Sequence, residues 1–269
     1  MKVKETKRNN SNVEIVEFNS LNEFYKYICK TPFNDSFRWE KHSSVEGTRS
    51  FTGTKNFEEA VELFKNGWTD MSKKLTQKIK ANEVKMQPMM KARNKLDVCG
   101  YQAVVPLYLQ GVPNSMINKK MVATKQKVVT INKCIQYACM VSTEQIIDES
   151  IKAMQIIKKV EAQGIRCNLN IVEQIKRNNK EYIFKIRVKN ATEKLNVSKL
   201  AFPLVNPSML RRLLFRLLEV YPNVPNSFVC GYGRPAKAYE TKEVITDEYV
   251  IPSIFEKSID DIKSLDDLK

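Results

Sequence analysis

Histidine is almost absent from this chain: His42 is the only one among 269 residues. A single imidazole excludes multi-histidine metal sites and would have to serve alone in any Ser-His-Asp triad. No G-x-S-x-G accompanies it, and within WEKHSS it reads as a solvated side chain. Long apolar runs are also missing. No stretch of about 18 apolar residues occurs, so no membrane-spanning helix is expected. The basic start MKVKETKRNN is not followed by the apolar segment of a secretory signal. Cys29, Cys99, Cys134, Cys139, Cys167 and Cys230 include no C-x-x-C and read as reduced, mostly buried thiols of a cytoplasmic protein. Metal-binding acid pairs are lacking too. There is no D-x-D, and the E-x-K pairs Glu83–Lys85 and Glu240–Lys242 lack the upstream Pro-Asp of a restriction-type nuclease. The segment 137–142 has no aspartate where a metal-dependent adhesion domain carries D-x-S-x-S. No metal or cofactor is expected.

Positive charge is what the chain has in plenty. Lys and Arg number 45 against 30 Asp and Glu, a net +15. Such a surface suits nucleic acid, although a Lys-rich composition gives the same total without a function. The strongest run lies at 73–95, with eight Lys/Arg and one acid, Glu83. Lys73, Lys74, Lys78, Lys80, Lys91 and Arg93 are its candidate phosphate contacts.

Periodicity organises the rest. Residues 1–12 read as a flexible basic arm. Ser20 and Glu23 cap a helix whose Leu21, Phe24, Tyr25 and Ile28 share a face. In RSFTGTKNFEEAVELFKNGW, Asn56 and Glu59 start a helix that Gly67 ends. The FTGT before it is either an anion-binding turn at a helix N-terminus or a turn docking Phe51 onto the core. Residues 97–121 read as an irregular apolar insert, mostly packed. A strand-like run at 127–142 is followed by a helix at 143–164, and strands at 165–175 and 181–190 form a hairpin around Arg177–Lys180. On the second of these, Tyr182, Phe184, Ile186 and Val188 alternate with Lys185, Arg187 and Lys189, predicting a core face and a solvated basic face as a second set of phosphate contacts. A helix from Pro207 to Tyr221 packs leucines, with Arg212, Arg216 and Glu219 opposite them. Arg211, Arg212, Arg216 and Arg234 form a candidate anion site. The end, SIDDIK-SLDDLK, is a short acidic repeat that folds back on the basic surface or docks on a partner protein.

Three elements in order carry a resemblance: SFTGT…EEAVELFKNGW, the VPLYLQGVPNSM of Val105–Met116, and the PSMLRRLLF of Pro207–Phe215. Together they resemble an uncharacterised family of tailed-bacteriophage proteins over about residues 36–235. The resemblance implies a phage-encoded protein working in the host cytoplasm, and assigns no activity to particular residues. The expected architecture is α/β or α+β: residues 13–122 helical and irregular, a Rossmann-like mixed sheet in 123–252 with the N-terminal helices packed on it, and an acidic tail at 253–269. The expected function is a non-enzymatic accessory protein contacting nucleic acid. The alternatives are a module binding a host or virion protein through the tail, and an enzyme or binder of a phosphorylated ligand at the arginines.

Overall fold

The computed structural model describes residues 1–8, 11–37, 41–47, 49–80, 90–123, 127–228, 234–235, 241, 243–245 and 247–252. The protein is a mixed α/β fold. Its strands are β1 (Lys2–Arg8), β2 (Ser11–Phe18), β3 (Met90–Asp97), β4 (Gln102–Ala103), β5 (Met116–Ala123), β6 (Val128–Cys134), β7 (Arg166–Arg177), β8 (Lys180–Lys189), β9 (Arg234–Pro235) and β10 (Tyr249–Ile251). Its helices are α1 (Leu21–Lys30), α2 (Arg49–Thr52), α3 (Phe57–Asn66), α4 (Thr69–Lys80), α5 (Val105–Leu109), α6 (Thr143–Ala162), α7 (Val197–Val205) and α8 (Phe215–Val220), the last entered through a π turn at Met209–Leu214.

The main sheet has the order β1-β2-β8-β7-β6-β10, with β9 added on β7. The unit β6–α6–β7 joins parallel strands through a helix and is its Rossmann-like part. The sheet is not confined to the C-terminal half. β2 pairs in parallel with β8, and β1 pairs antiparallel with β2, so the residues expected as a loose arm form the edge strand. Val3 alone supplies too little apolar periodicity to announce β1; its order comes from pairing with β2.

Period-two alternation decides which face each strand buries. Val16, Phe18, Ile131, Leu169, Ile171, Phe184 and Ile186 join residues of α1, α3, α4, α6, α7 and α8 in one core cluster on a single face of the sheet. Tyr182 and Phe184 lie inside it, as their alternation predicts. The opposite face holds a smaller cluster of Val13, Val172, Ile183 and Ile245 among polar side chains.

The predicted helix ends are present. Ser20 Oγ accepts from Glu23 N at 3.1 Å, Asn56 Oδ1 accepts from Glu59 N at 2.9 Å, and Gly67 closes α3 at φ +81°. The hairpin turn sets Asn178 at φ +54°. The run 127–142 is a strand only to Cys134; further along, β7 pairs with β9 at Ile175 and Lys176 instead. Among the described residues no helix is long and apolar enough to cross a membrane.

Candidate functional site

The β8 cations are already neutralised. Lys185 Nζ lies 3.2 Å from Glu17 and 2.8 Å from Glu248. Partial burial pushes the Glu17 carboxyl up, but the Lys185 ammonium, with Lys4 and Lys2, outweighs it, so the net shift is downward. Arg187 Nε donates to Asn170 Oδ1 at 2.5 Å, Asn170 donates to Asn132 Oδ1 at 2.8 Å, and Asn132 donates to Glu248 at 2.7 Å. The chain of contacts thus closes on the carboxylate that holds Lys185. Lys189 is not on that face at all. Leu169 opposes Lys189 while Asn170 opposes Arg187, so Val188 is an extra residue and the bulge turns Lys189 toward α6. There it meets Glu161 at 2.5 Å and donates to Cys167 O at 3.0 Å. The expected solvated basic face is therefore a set of internal ion pairs. Sequence alternation could not see the bulge or the acids brought in from β2, α6 and the segment before β10.

The arginine cluster is also closed. Arg212 is fully buried, and its guanidinium donates to the carbonyls of Ser43 (3.1 Å), Val45, Thr54 (3.3 Å) and Lys55 (2.8 Å), and to Thr52 Oγ1 (3.3 Å). Arg211 donates to Phe51 O, Ala138 O and Val141 O, with its guanidinium 4.0 Å above the Phe51 ring. Arg216 pairs with Glu219 at 3.3 Å and sits 4.0 Å over Phe57. Burial pulls all three guanidinium pKa values down, opposed by nearby Glu58 and Glu59 at Arg212 and by Glu219 at Arg216.

These contacts answer what FTGT is for. Its carbonyls and hydroxyls face the PSMLRR element, with Thr54 Oγ1 2.8 Å from Ser208 Oγ and Ser208 donating to Thr52 O at 2.5 Å. A Cβ on Gly53, at φ +80°, would lie 2.3 Å from Asn206 Oδ1, so glycine is required. Thr52 and Thr54 are the buried residues and Phe51 is exposed, the reverse of the expected docking. The wheel that put Arg212 and Glu219 on an outer face fails because Ser43, Val45, Thr52, Thr54 and Lys55 lie against that face.

Other expectations fare differently. Lys73, Lys74 and Lys78 are exposed on α4, and Lys78 stands 3.9 Å from Asp148. The side chains of Lys80, Lys91, Arg93 and Arg234, Cys230 and the tail 253–269 lie outside the described residues. The cysteines are not mostly buried: of the five described, Cys29, Cys99 and Cys139 are exposed, and Cys134 and Cys167 are buried. Burial and then Glu161 push the Cys167 thiol up to about 12. His42 is exposed. A further buried pair joins Lys133 and Glu149; Lys133 also donates to Cys134 O (2.8 Å) and Pro252 O (2.9 Å), and is too enclosed to meet a ligand.

The site that sequence reading missed is the insert. β3, β5 and β4 form a separate antiparallel sheet with α5 at its tip. Its hydrogen bonds close on itself: Tyr101 N donates to Ile117 O at 2.9 Å, Val104 N to Ser115 O at 2.8 Å, and Val112 N to Leu107 O at 3.0 Å. A Cβ on Gly100 would come within 2.2 Å of Ile117 O, and Gly111 turns the chain at φ +71°. The tip is thus a built structure, yet it does not bury its apolar side chains. Of thirteen exposed large hydrophobics among the described residues, seven fall in 96–112: Leu96, Val98, Tyr101, Val105, Tyr108, Leu109 and Val112. Leu109 is 78% exposed and Tyr108 65%. Single exposed apolar residues are ordinary; seven on one ordered element are not. The i, i+3, i+4 spacing of Val105, Tyr108 and Leu109 was the available signal. It shows an apolar face without saying whether this chain or another molecule covers it.

A shallow depression of about 490 Å³ opens between Val98–Gly100 and Gly111–Met116. Among the described residues no cluster of His, Cys, Asp and Glu could hold a metal ion. No curated protein and no solved structure matches the chain. Residues 3–266 match the family described as "Domain of unknown function (DUF7192)", and the chain belongs to that family.

Proposed function

We propose that the protein is a non-enzymatic binding protein whose contact element is the tip of the β3–β5 ribbon. The observation that carries this is the group of seven exposed large hydrophobics on an ordered module. Apolar surface left in water on a rigid element is characteristic of protein–protein contact. The resemblance to tailed-phage proteins makes a host or virion protein the expected partner. The test is co-purification from the bacterial host. Tyr108→Asp with Leu109→Asp should abolish a specific partner, and Met140→Asp, at an exposed residue outside the module, should leave it unchanged. Loss of the partner in neither variant, or equally in both, overturns the reading.

A second reading keeps the nucleic-acid function on fewer residues. Lys73 and Lys74 of α4 and Lys95 and Lys119 of the ribbon are exposed, and among the described residues no carboxylate pairs with them. DNA or RNA affinity falling by about tenfold or more between roughly 50 and 200 mM salt, and lost on charge reversal at these four positions, would support it. Salt-independent binding, or none, would remove it.

A further inference from the structure

The module's charge, shape and strand edge together restrict what it can hold. Residues 90–123 contain Lys91, Arg93, Lys95, Lys119 and Lys120 but a single acid, Asp97. Lys95 and Lys119 are exposed, and Lys119 Nζ stands 5.1 Å from the Tyr101 ring, so positive charge borders the apolar tip directly. The sheet order β3-β5-β4 leaves β3 paired on one side only among the described residues. Along its eight residues the other edge has no partner strand among the described residues, and its outward backbone groups are available for pairing. Beyond the Asp97–Met116 pair that ends the β3–β5 ladder lies the depression lined by Val98, Gly100, Tyr108, Val112 and Met116.

We infer that the ribbon binds an extended, acid-rich segment of a partner protein, which pairs along β3 and seats an apolar side chain in the depression. This rests on reading the tip as a protein-binding surface and adds the chemistry of the partner. An added strand would satisfy the open β3 edge, and its alternate side chains would fall on the faces β3 presents. Carboxylates on it would meet the cations around the tip, which governs selectivity and association rate. A second copy meeting it module to module would bring five cations against five. A lipid surface has neither a strand to add nor a side chain to fill a concavity. A nucleic acid would leave the apolar tip in water.

The test is an array of ten-residue peptides of mixed composition, probed with the full chain and read by peptide composition. The expected result is enrichment of Asp and Glu together with large apolar residues. Replacing the acids of a selected peptide by Gln should weaken binding about tenfold, or about 1.4 kcal/mol. Lys95→Glu with Lys119→Glu should weaken it likewise, and Leu109→Asp should abolish it; circular dichroism checks that both variants fold, as all three side chains are exposed. Apolar enrichment without acids, still lost in Leu109→Asp, overturns the acidic partner while leaving the tip as a protein site. No peptide signal that depends on Leu109 overturns both. Tip-dependent self-association, or tip-dependent binding to anionic phosphatidylglycerol vesicles stronger than to any peptide, overturns the inference in favour of those occupants.

Discussion

Arg212→Ala separates a structural clamp from an anion ligand. The wild-type guanidinium is fully buried and donates to four carbonyls and one hydroxyl of the segment 43–55. Truncation removes the guanidinium from all five; Thr54 O keeps Thr52 Oγ1 and Lys55 O keeps Gly47 N as donors, while Ser43 O and Val45 O lose theirs. A hydrogen bond to a charged group contributes about 1.5–3 kcal/mol, and five cannot be summed because the segment relaxes as a unit. Leaving a carbonyl without its donor costs about 1–3 kcal/mol, so losing the donor at Ser43 O and Val45 O costs roughly 2–6 kcal/mol together. At about 2–4 °C per kcal/mol for a chain of this size, the melting temperature should fall by roughly 10 °C. Scanning calorimetry in phosphate-free buffer measures this. Arg212→Lys should fall between the two, since an ammonium cannot reproduce the planar fork. The reasoning is refuted if Arg212→Ala melts within about 2 °C of wild type, or if phosphate stabilises the wild type and that gain disappears in the variant.

Three other expectations follow from the same geometry. Gly53→Ala should destabilise the protein through both positive φ and the clash with Asn206, seen as a lower urea midpoint with an unchanged slope. Burial raises the Glu173 carboxyl to about 8, so the folded state holds a proton there that the unfolded state has lost. Stability should therefore fall as pH rises from about 4.5 to about 8, by up to about 1.4 kcal/mol per unit, and then level off. Glu173→Gln should flatten that slope in thermal melts, and an unchanged slope would contradict the assignment. Lys189→Met should cost about 3 kcal/mol by leaving Glu161 unpaired. Adding Glu161→Gln should recover part of the loss, and neither change should alter nucleic-acid affinity.

Local chemistry wrote the local structure legibly. Ser20, Asn56, Ser142 and Gly67 begin and end helices where their side chains and backbone freedom require, and alternation placed Tyr182 and Phe184 in the core. What the sequence did not display are contacts between distant segments. Lys185 and Arg187 look like a solvated face until β2 and the residues before β10 bring Glu17 and Glu248 beside them. Arg212 looks exposed on its own helix until Ser43, Val45 and residues 52–55 come over it. The insert errs in the opposite sense: its apolar composition suggested packing, and its side chains remain in water. For Lys185, Arg187 and Arg212 the deciding neighbour lies far away along the chain; for the insert, the proposed partner would be that neighbour.

The central claim is that the ribbon tip is where this protein meets its partner. Photo-crosslinking tests it most directly, with a benzophenone amino acid placed at Leu109 or Val105 and, for comparison, at Met140. The account predicts one and the same protein adduct from both tip positions and none from Met140. Adducts from Met140 alone, or no adduct from the tip in cells where the protein is active, would contradict it.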